Sequence, residues 1–284
     1  VLNYKNQKII VTTDMLVEGV HFDLSYFPLK HLGYKAVISS ISDICAMCGT
    51  TKQITVSIAV SSRFKLESIQ ELYSGIKHAC NRYNVDLIGG DTTSSLTGLV
   101  ISVSAIGCVS KSNYVTRSGS KPNDLIVVSG SLGGAYLGLQ VLEREKQVFL
   151  VNSNSKPDLS KYKYVIERQL KPEAKSEIVE FFLENKIRPS SMIDISDGLS
   201  SEILHLCKNS GNGCVIYEEK IPISKETVDT CEEFKLEAST IALSGGEDYE
   251  LLFTIDSKYL KNIEQQKEFS VIGYITKESN TNLI

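Results

Sequence analysis

Residues 11–22 read VTTDMLVEGVHF and carry two signals at once. Ile9, Ile10 and Val11 run into Thr12 and Thr13, a β-branched series that reads as a strand. The strand is expected to end at Asp14, with an imidazole, His21, seven residues further on. Two hydroxyls and a carboxylate at a strand end form an oxygen-rich cluster, the ligand set that hard cations prefer. Similar clusters recur at Ser42–Asp43, Gly89–Thr93, Asp194–Gly198 and Gly245–Asp248. One such acid caps a turn or helix as readily as it binds an ion. Five in one chain point instead to convergence on metal-bound phosphates.

Working outward, Lys8–Thr13 reads as a strand, His31–Met47 as a helix stopped by Gly49, and Ile54–Val60 as a half-buried strand alternating at period two. Leu66–Tyr83 is an amphipathic helix, Asp86–Ile88 a short strand ending in Gly89-Gly90-Asp91, and Leu99–Gly107 another strand. This β-α-β-α-β-β order predicts an N-terminal sheet domain over residues 1–111, with helices on one face. A second domain or another subunit must cover the opposite face. Lys111–Asp124, rich in Ser, Lys, Gly, Asn and Pro, reads as the linker into a C-terminal domain over residues 112–284. Strands expected at Leu125–Ser129, Met192–Ile195, Gly213–Tyr217, Tyr249–Ile255 and Val271–Ile275 alternate there with helices, whereas Lys146–Lys161 reads as irregular. The fold class is α/β (α+β), with a layered C-terminal domain.

The 284 residues are 42% apolar and 23% charged, with a net charge of −4 and no basic stripe, which disfavours a nucleic-acid partner. No apolar run reaches the roughly 20 residues of a membrane span, and no signal pattern opens the chain, so a cytoplasmic protein is expected. Seven cysteines without a framework spacing fit a reducing compartment. Cys45 and Cys48 form a CxxC, but they continue the apolar series Tyr34, Val37, Ile38 and Ile41, so core packing is favoured over a zinc or redox site.

Gly89-Gly90-Asp91 would let the backbone approach a phosphate while Asp91 reaches its metal. Asp194 and Asp197 could share one ion, or Ser196 or Asp197 could simply N-cap the following helix. Asp43 falls outside the apolar stripe of its helix, which suits either a metal ligand or a solvated face. Arg117, one of 6 arginines, suits a bidentate phosphate contact or an exposed position. Neither GxGxxG after a strand nor GxxxxGK[ST] occurs, and no nucleophile–base pair is visible. Phosphoryl transfer onto an existing phosphate would need no such pair. A monoester is already largely dianionic at pH 7, its second pKa being about 6. The task is then positioning and charge neutralisation, which a carboxylate cage holding several Mg²⁺ ions suits.

VTTDMLVEGVHF, ISDICAMCG (41–49), GGDTTS (89–94), RSGSKPND (117–124), DISDG (194–198) and GGEDYEL (245–251) together resemble thiamine-monophosphate kinases, in order over nearly the whole chain. GGD and SDG alone would mark only the wider superfamily, which includes aminoimidazole ribonucleotide synthetase and selenophosphate synthetase; TTDMLVEGVHF narrows it. The resemblance implies ATP-dependent phosphorylation of thiamine monophosphate by a homodimer whose N-terminal sheets pair. It implies that Thr12, Thr13, Asp14, Asp43, Asp91, Asp194 and Asp197 hold Mg²⁺. Tyr73, Gly90, Arg117 and Ser196 would touch ATP, and His21 and Glu247 the thiamine phosphate. Two parts of the family pattern fall outside the sequence: a GDDxA-type segment ahead of the first strand and a substrate-stacking aromatic near the C-terminus. With Val1 rather than Met at the start, both are expected at the ends of the natural protein. The rivals are another ATP-dependent member of the superfamily, a nucleotide-binding dimer without activity, and a zinc or redox protein built on Cys45 and Cys48.

Overall fold

The computed structural model describes residues 7–152 and 157–277 and the backbone of 282–283. The chain forms two compact units, Val1–Tyr114 and Val115–Ile284.

The first unit contains β1 (Gln7–Val17), α1 (Leu29–Ala46), β2 (Thr50–Val60), α2 (Leu66–Tyr83), β3 (Asp86–Ser94) and β4 (Leu99–Ser110). Its sheet has the order β1-β4-β2-β3; β4 is antiparallel to both neighbours, and β2 and β3 run parallel across the α2 crossover. Two strands extend further than their sequences suggest. β1 does not end at Asp14, because β4 continues to pair with it: Asp14 lies opposite Val103 and Val17 opposite Val100. β3 does not end at Ile88 either. A bulge beside Ile54 and Thr55 takes up Ile88, after which Gly89 through Ser94 pair with Thr55 through Val60. Ladder hydrogen bonds outweigh the weak strand propensity of the two glycines.

Helix α1 has no solvated face to speak of: every residue from Leu32 to Ser42 is buried. It packs on β1 and β4 with one side and on α2 with another. The helices meet at glycines. A Cβ on Gly33 would lie 2.1 Å from the Leu72 carbonyl oxygen, and one on Gly75 would lie 1.8 Å from that of Lys30. Cys45 and Cys48 are buried free thiols in this layer. The outer face of β1 is bare, with Ile9, Val11 and Met15 each more than half exposed.

The second unit holds β5 (Leu125–Ser129), α3 (Gly134–Val151), α4 (Lys163–Leu170), α5 (Ser176–Glu184), β6 (Ser191–Asp194), α6 (Leu199–Ser210), β7 (Gly213–Ile216), α7 (Lys225–Phe234), α8 (Ala238–Ser244), β8 (Leu251–Ile255), α9 (Leu260–Glu264), β9 (Phe269–Thr276) and β10 (Asn282–Leu283). The sheet order is β10-β7-β9-β5-β8-β6. Both faces are covered, which explains the unbroken apolar runs LIVVS and LLFTI. Leu199, Ile203, Leu206 and Cys207 of α6 pack on one face with Ile126, Val128 and Leu252. Phe182 of α5 meets Phe253 edge-to-face, the ring centroids 5.1 Å apart, beside Phe269.

The segment expected to be irregular after Lys146 begins as helix, since α3 runs on to Val151. The stretch after Val115 is no loose linker. The Met192 N–H donates to the Thr116 carbonyl, and the amides of Gly119 and Ser120 donate to Ser210 Oγ at 3.1 and 3.2 Å. Among the described residues no helix is long and apolar enough to cross a membrane.

Candidate functional site

In the first unit, alternation along β1 puts Thr12 and Asp14 on the face that α1 covers. Thr12 Oγ1 donates to Asp43 Oδ2, and Ser40 Oγ donates to Asp14 Oδ2 at 2.6 Å. Asp43 is therefore no solvated helix acid. It faces β1 across the α1 interface. Burial first, and then the charge of Asp43, push the Asp14 carboxyl up from its usual range, against the hydrogen bond from Ser40. Thr13 points to the opposite face, where Ser104 Oγ donates to its hydroxyl at 3.0 Å.

Tyr73, Gly90 and Asp91 come together elsewhere in this unit. They line a cleft of about 480 Å³ with Leu87, Ile88, Gly89 and Thr92. Its floor is the GGDTT stretch of β3, which is exposed throughout. Gly90 is compulsory here, because a Cβ would lie 1.8 Å from the Val56 carbonyl oxygen.

His21 occupies a tight turn after β1. Its Nδ1 accepts the Val17 N–H at 3.1 Å, so the neutral ring carries its proton on Nε2. Glu18 fastens the same turn, accepting the Leu99 N–H at 2.8 Å while pairing with Arg63. The sequence reading passed over Glu18.

In the second unit, two acidic motifs lie side by side. The N–H of Glu247 donates to the Ser196 carbonyl at 2.8 Å, and that of Tyr249 donates to the Ile195 carbonyl at 2.9 Å. The Ile195 N–H returns a bond to the Glu250 carbonyl at 2.8 Å. Asp194, Ser196, Asp197 and Glu247 thus share one end of the sheet. Asp194 is buried, while Ser196 and Asp197 are exposed. The N-cap of α6 is Gly198, and neither Ser196 nor Asp197 caps the helix. Glu202 holds the turn instead. Its buried carboxylate accepts the Asp197 N–H at 2.9 Å, leaving the Asp197 carboxylate directed at solvent. Arg117 is exposed on the strip that Thr116 ties to β6.

Beneath Glu247 lies a buried charge cluster that sequence reasoning missed. Asp248 Oδ2 accepts the Gly133 N–H at 2.6 Å, and Oδ1 accepts that of Ala135 at 3.1 Å. Arg168 reaches Asp248 at 3.4 Å and Glu250 at 3.0 Å; Lys175 reaches Glu250 at 3.0 Å, and Ser129 Oγ donates to it at 2.6 Å. Burial pushes the Asp248 carboxyl up to about 6 even against the opposing Arg168 charge. Glu247 and Tyr249, flanking Asp248, both adopt left-handed backbone, with φ of 66° and 53°. Non-glycine residues rarely do so. The bonds around Asp248 hold the loop in that shape.

Among the described residues no three His, Cys, Asp or Glu side chains stand as a ready metal cage. The donor chemistry still suits a hard divalent ion. Asp14 and Asp43 are carboxylates in mutual repulsion, accompanied by the hydroxyls of Thr12 and Ser40.

Comparisons with known proteins agree with this architecture. The AIR synthase related protein N-terminal domain matches residues 1–109, and its C-terminal domain residues 121–284. The thiamine-monophosphate kinase of Bacillus subtilis is 34% identical over 280 residues, covering 97% of this chain and 82% of the relative. That of Buchnera aphidicola (Schizaphis graminum) is 39% identical over 289 aligned positions, covering 99% and 83%. A solved structure of AaThiL complexed with AMPPCP and TMP superposes with a TM-score of 0.86 at 30% identity, covering 100% of this chain and 85% of that one. The hydrogenase maturation protein HypE in complex with ATP, at 15% identity and a TM-score of 0.76, shares the fold. With both domain models matched in order and these relatives covered over four fifths of their length, the chain belongs to the thiamine-monophosphate kinase family and is a kinase.

Proposed function

We propose that this chain transfers the γ-phosphoryl group of ATP to thiamine monophosphate, giving thiamine diphosphate and ADP, with Mg²⁺ and as a homodimer. One observation carries the reading: an AaThiL structure holding AMPPCP, an ATP analogue, and TMP superposes over the whole chain.

The acceptor phosphate is already an anion at neutral pH. The chain's residues are therefore assigned to holding, orienting and neutralising, and none to deprotonating. Thr12, Thr13, Asp14, Asp43, Asp91, Asp194 and Asp197 are assigned to Mg²⁺, which when bound screens the phosphate charges from one another. Asp14 is raised first by burial and then by the charge of Asp43, and a cation between the two would offset that second contribution. Tyr73 and Gly90, on the cleft beside α2, and Arg117 and Ser196 are assigned to ATP. His21 can offer Nε2–H to the substrate phosphate. Glu247 suits the cationic thiazolium or the aminopyrimidine. By this reading residues 1–111 form the ATP/Mg-binding and dimerisation domain and residues 112–284 the C-terminal domain. Seven free thiols favour a reducing, cytoplasmic setting.

Incubation with MgATP and thiamine monophosphate, followed by chromatography, should yield thiamine diphosphate and ADP in equal amounts. ADP without thiamine diphosphate would mean a different acceptor. Arg117→Ala should raise KM for ATP by about tenfold, the loss of one charge-assisted contact. KM for thiamine monophosphate should move much less; a reversed pattern would remove Arg117 from the ATP site.

The dimer reading rests on the bare apolar face of β1. Val11→Asp with Met15→Glu should shift the sedimentation velocity peak from dimer to monomer. A monomeric wild type would refute it.

A further inference from the structure

We propose that Gln169 of α4 is a positioning residue for the thiamine substrate, acting through Glu247. This rests on the reading that Glu247 contacts the thiamine moiety.

The backbone of Glu247 is fixed from three sides. Its own N–H is bonded to Ser196, the Tyr249 N–H to Ile195, and Asp248 is seated by the Gly133 and Ala135 amides and by Arg168. With left-handed backbone at residue 247, the side chain leaves the loop in a direction that its neighbours dictate. What remains is the freedom of the glutamate torsions, and a long flexible carboxylate loses rotamer entropy when it must take one pose to meet a ligand. Gln169 removes that freedom in advance. It is 2% exposed, and its Nε2 donates to Glu247 Oε2 at 3.0 Å.

The chemical type of the partner matters as much as its position. Consecutive residues of α4 do two different things: Arg168 sends its guanidinium to Asp248 and Glu250, while Gln169 offers Glu247 a neutral amide. An amide donor orients a carboxylate without cancelling its charge. A lysine or arginine in that place would form an ion pair and oppose the approach of a cationic ring. Buried, hydrogen-bonded supporting groups of this kind set the geometry of the groups that touch ligand.

The test compares wild type, Gln169→Met, Glu247→Gln and the double variant. Steady-state kinetics would be run against thiamine monophosphate and against ATP, with thermal unfolding alongside. Gln169→Met keeps the length and loses the donor. It should raise KM for thiamine monophosphate roughly tenfold, with KM for ATP and Tm near wild type. In the Glu247→Gln background the same change should add little, since the partner is already altered. An unchanged KM in Gln169→Met, or an equal increment in both backgrounds, would overturn the positioning role while leaving Glu247 in place. An unchanged KM in Glu247→Gln would instead overturn the substrate role of Glu247, and this inference with it. If Gln169→Met does not fold, Gln169→Asn, which keeps a neutral amide but draws it back by one methylene from Glu247, is read in the same way.

Discussion

Asp197→Asn is expected to lower kcat by about 10²–10³-fold, the scale seen when one preorganised electrostatic contact is removed from a transition state. Tm should stay within about a degree of wild type, because the change is a surface one. The two expectations have separate causes in the structure. Gly198 caps α6, and what Glu202 grips is the backbone N–H of Asp197, which asparagine keeps. The carboxylate itself is exposed and free of any capping duty. Loss of charge should therefore cost turnover and leave the fold alone. Initial rates at saturating substrates, set beside a melting curve, decide the matter. A rate within a fewfold of wild type would remove Asp197 from the metal ligands, and a large drop in Tm would make it structural. The same logic applies to Asp91, exposed on the floor of its cleft.

Arg168→Met is expected to do the opposite, damaging the fold before the chemistry. The guanidinium serves Asp248 and Glu250, both fully buried, and also the carbonyls of Ser131 and Asp248. Removing one partner of a buried ion pair costs about 3–5 kcal/mol, because the remaining charge stays desolvated. Tm should fall by roughly 10 °C. The pH dependence has a definite sign. The folded pKa of Asp248 is already raised, to about 6, so the folded state binds its proton more tightly than the unfolded chain does. Stability therefore falls as pH rises from about 4 through about 6. Without the opposing Arg168 charge the folded Asp248 carboxyl shifts higher still. The deficit of the variant should be greatest at about pH 7.5 and shrink on acidification towards about pH 5. Thermal unfolding at the two pH values checks this; a deficit independent of pH would mean that the loss is one of packing.

Periodicity located much of this fold because many elements bury an apolar pattern of their own. Leu66–Tyr83 and Leu125–Ser129 occur where their residues indicate. The extent of β1 and β3 was illegible for a different reason. Asp14 and Gly89-Gly90-Asp91 are poor strand formers held in line by the hydrogen bonds of a neighbouring strand, and pairing is a property of two segments. The candidate acids could be picked out individually, since they stand beside glycines and hydroxyls in the sequence. Their supporting groups could not. Gln169, Glu202, Ser40 and Arg168 lie 78, 5, 26 and 80 positions from Glu247, Asp197, Asp14 and Asp248 respectively. On a helix, each looks like an ordinary polar residue. Only the folded chain turns them inward.

The paired glycines of α1 and α2 have a mechanical consequence. Where Gly33 meets Leu72 and Gly75 meets Lys30, main chain touches main chain, with no side chain between them to compress or change rotamer. The two helices are thus welded into one plate that cannot shear without breaking contact. Asp43 rides on one helix and Tyr73 on the other. Their spacing is consequently set by main-chain contact between the helices and not by side-chain packing.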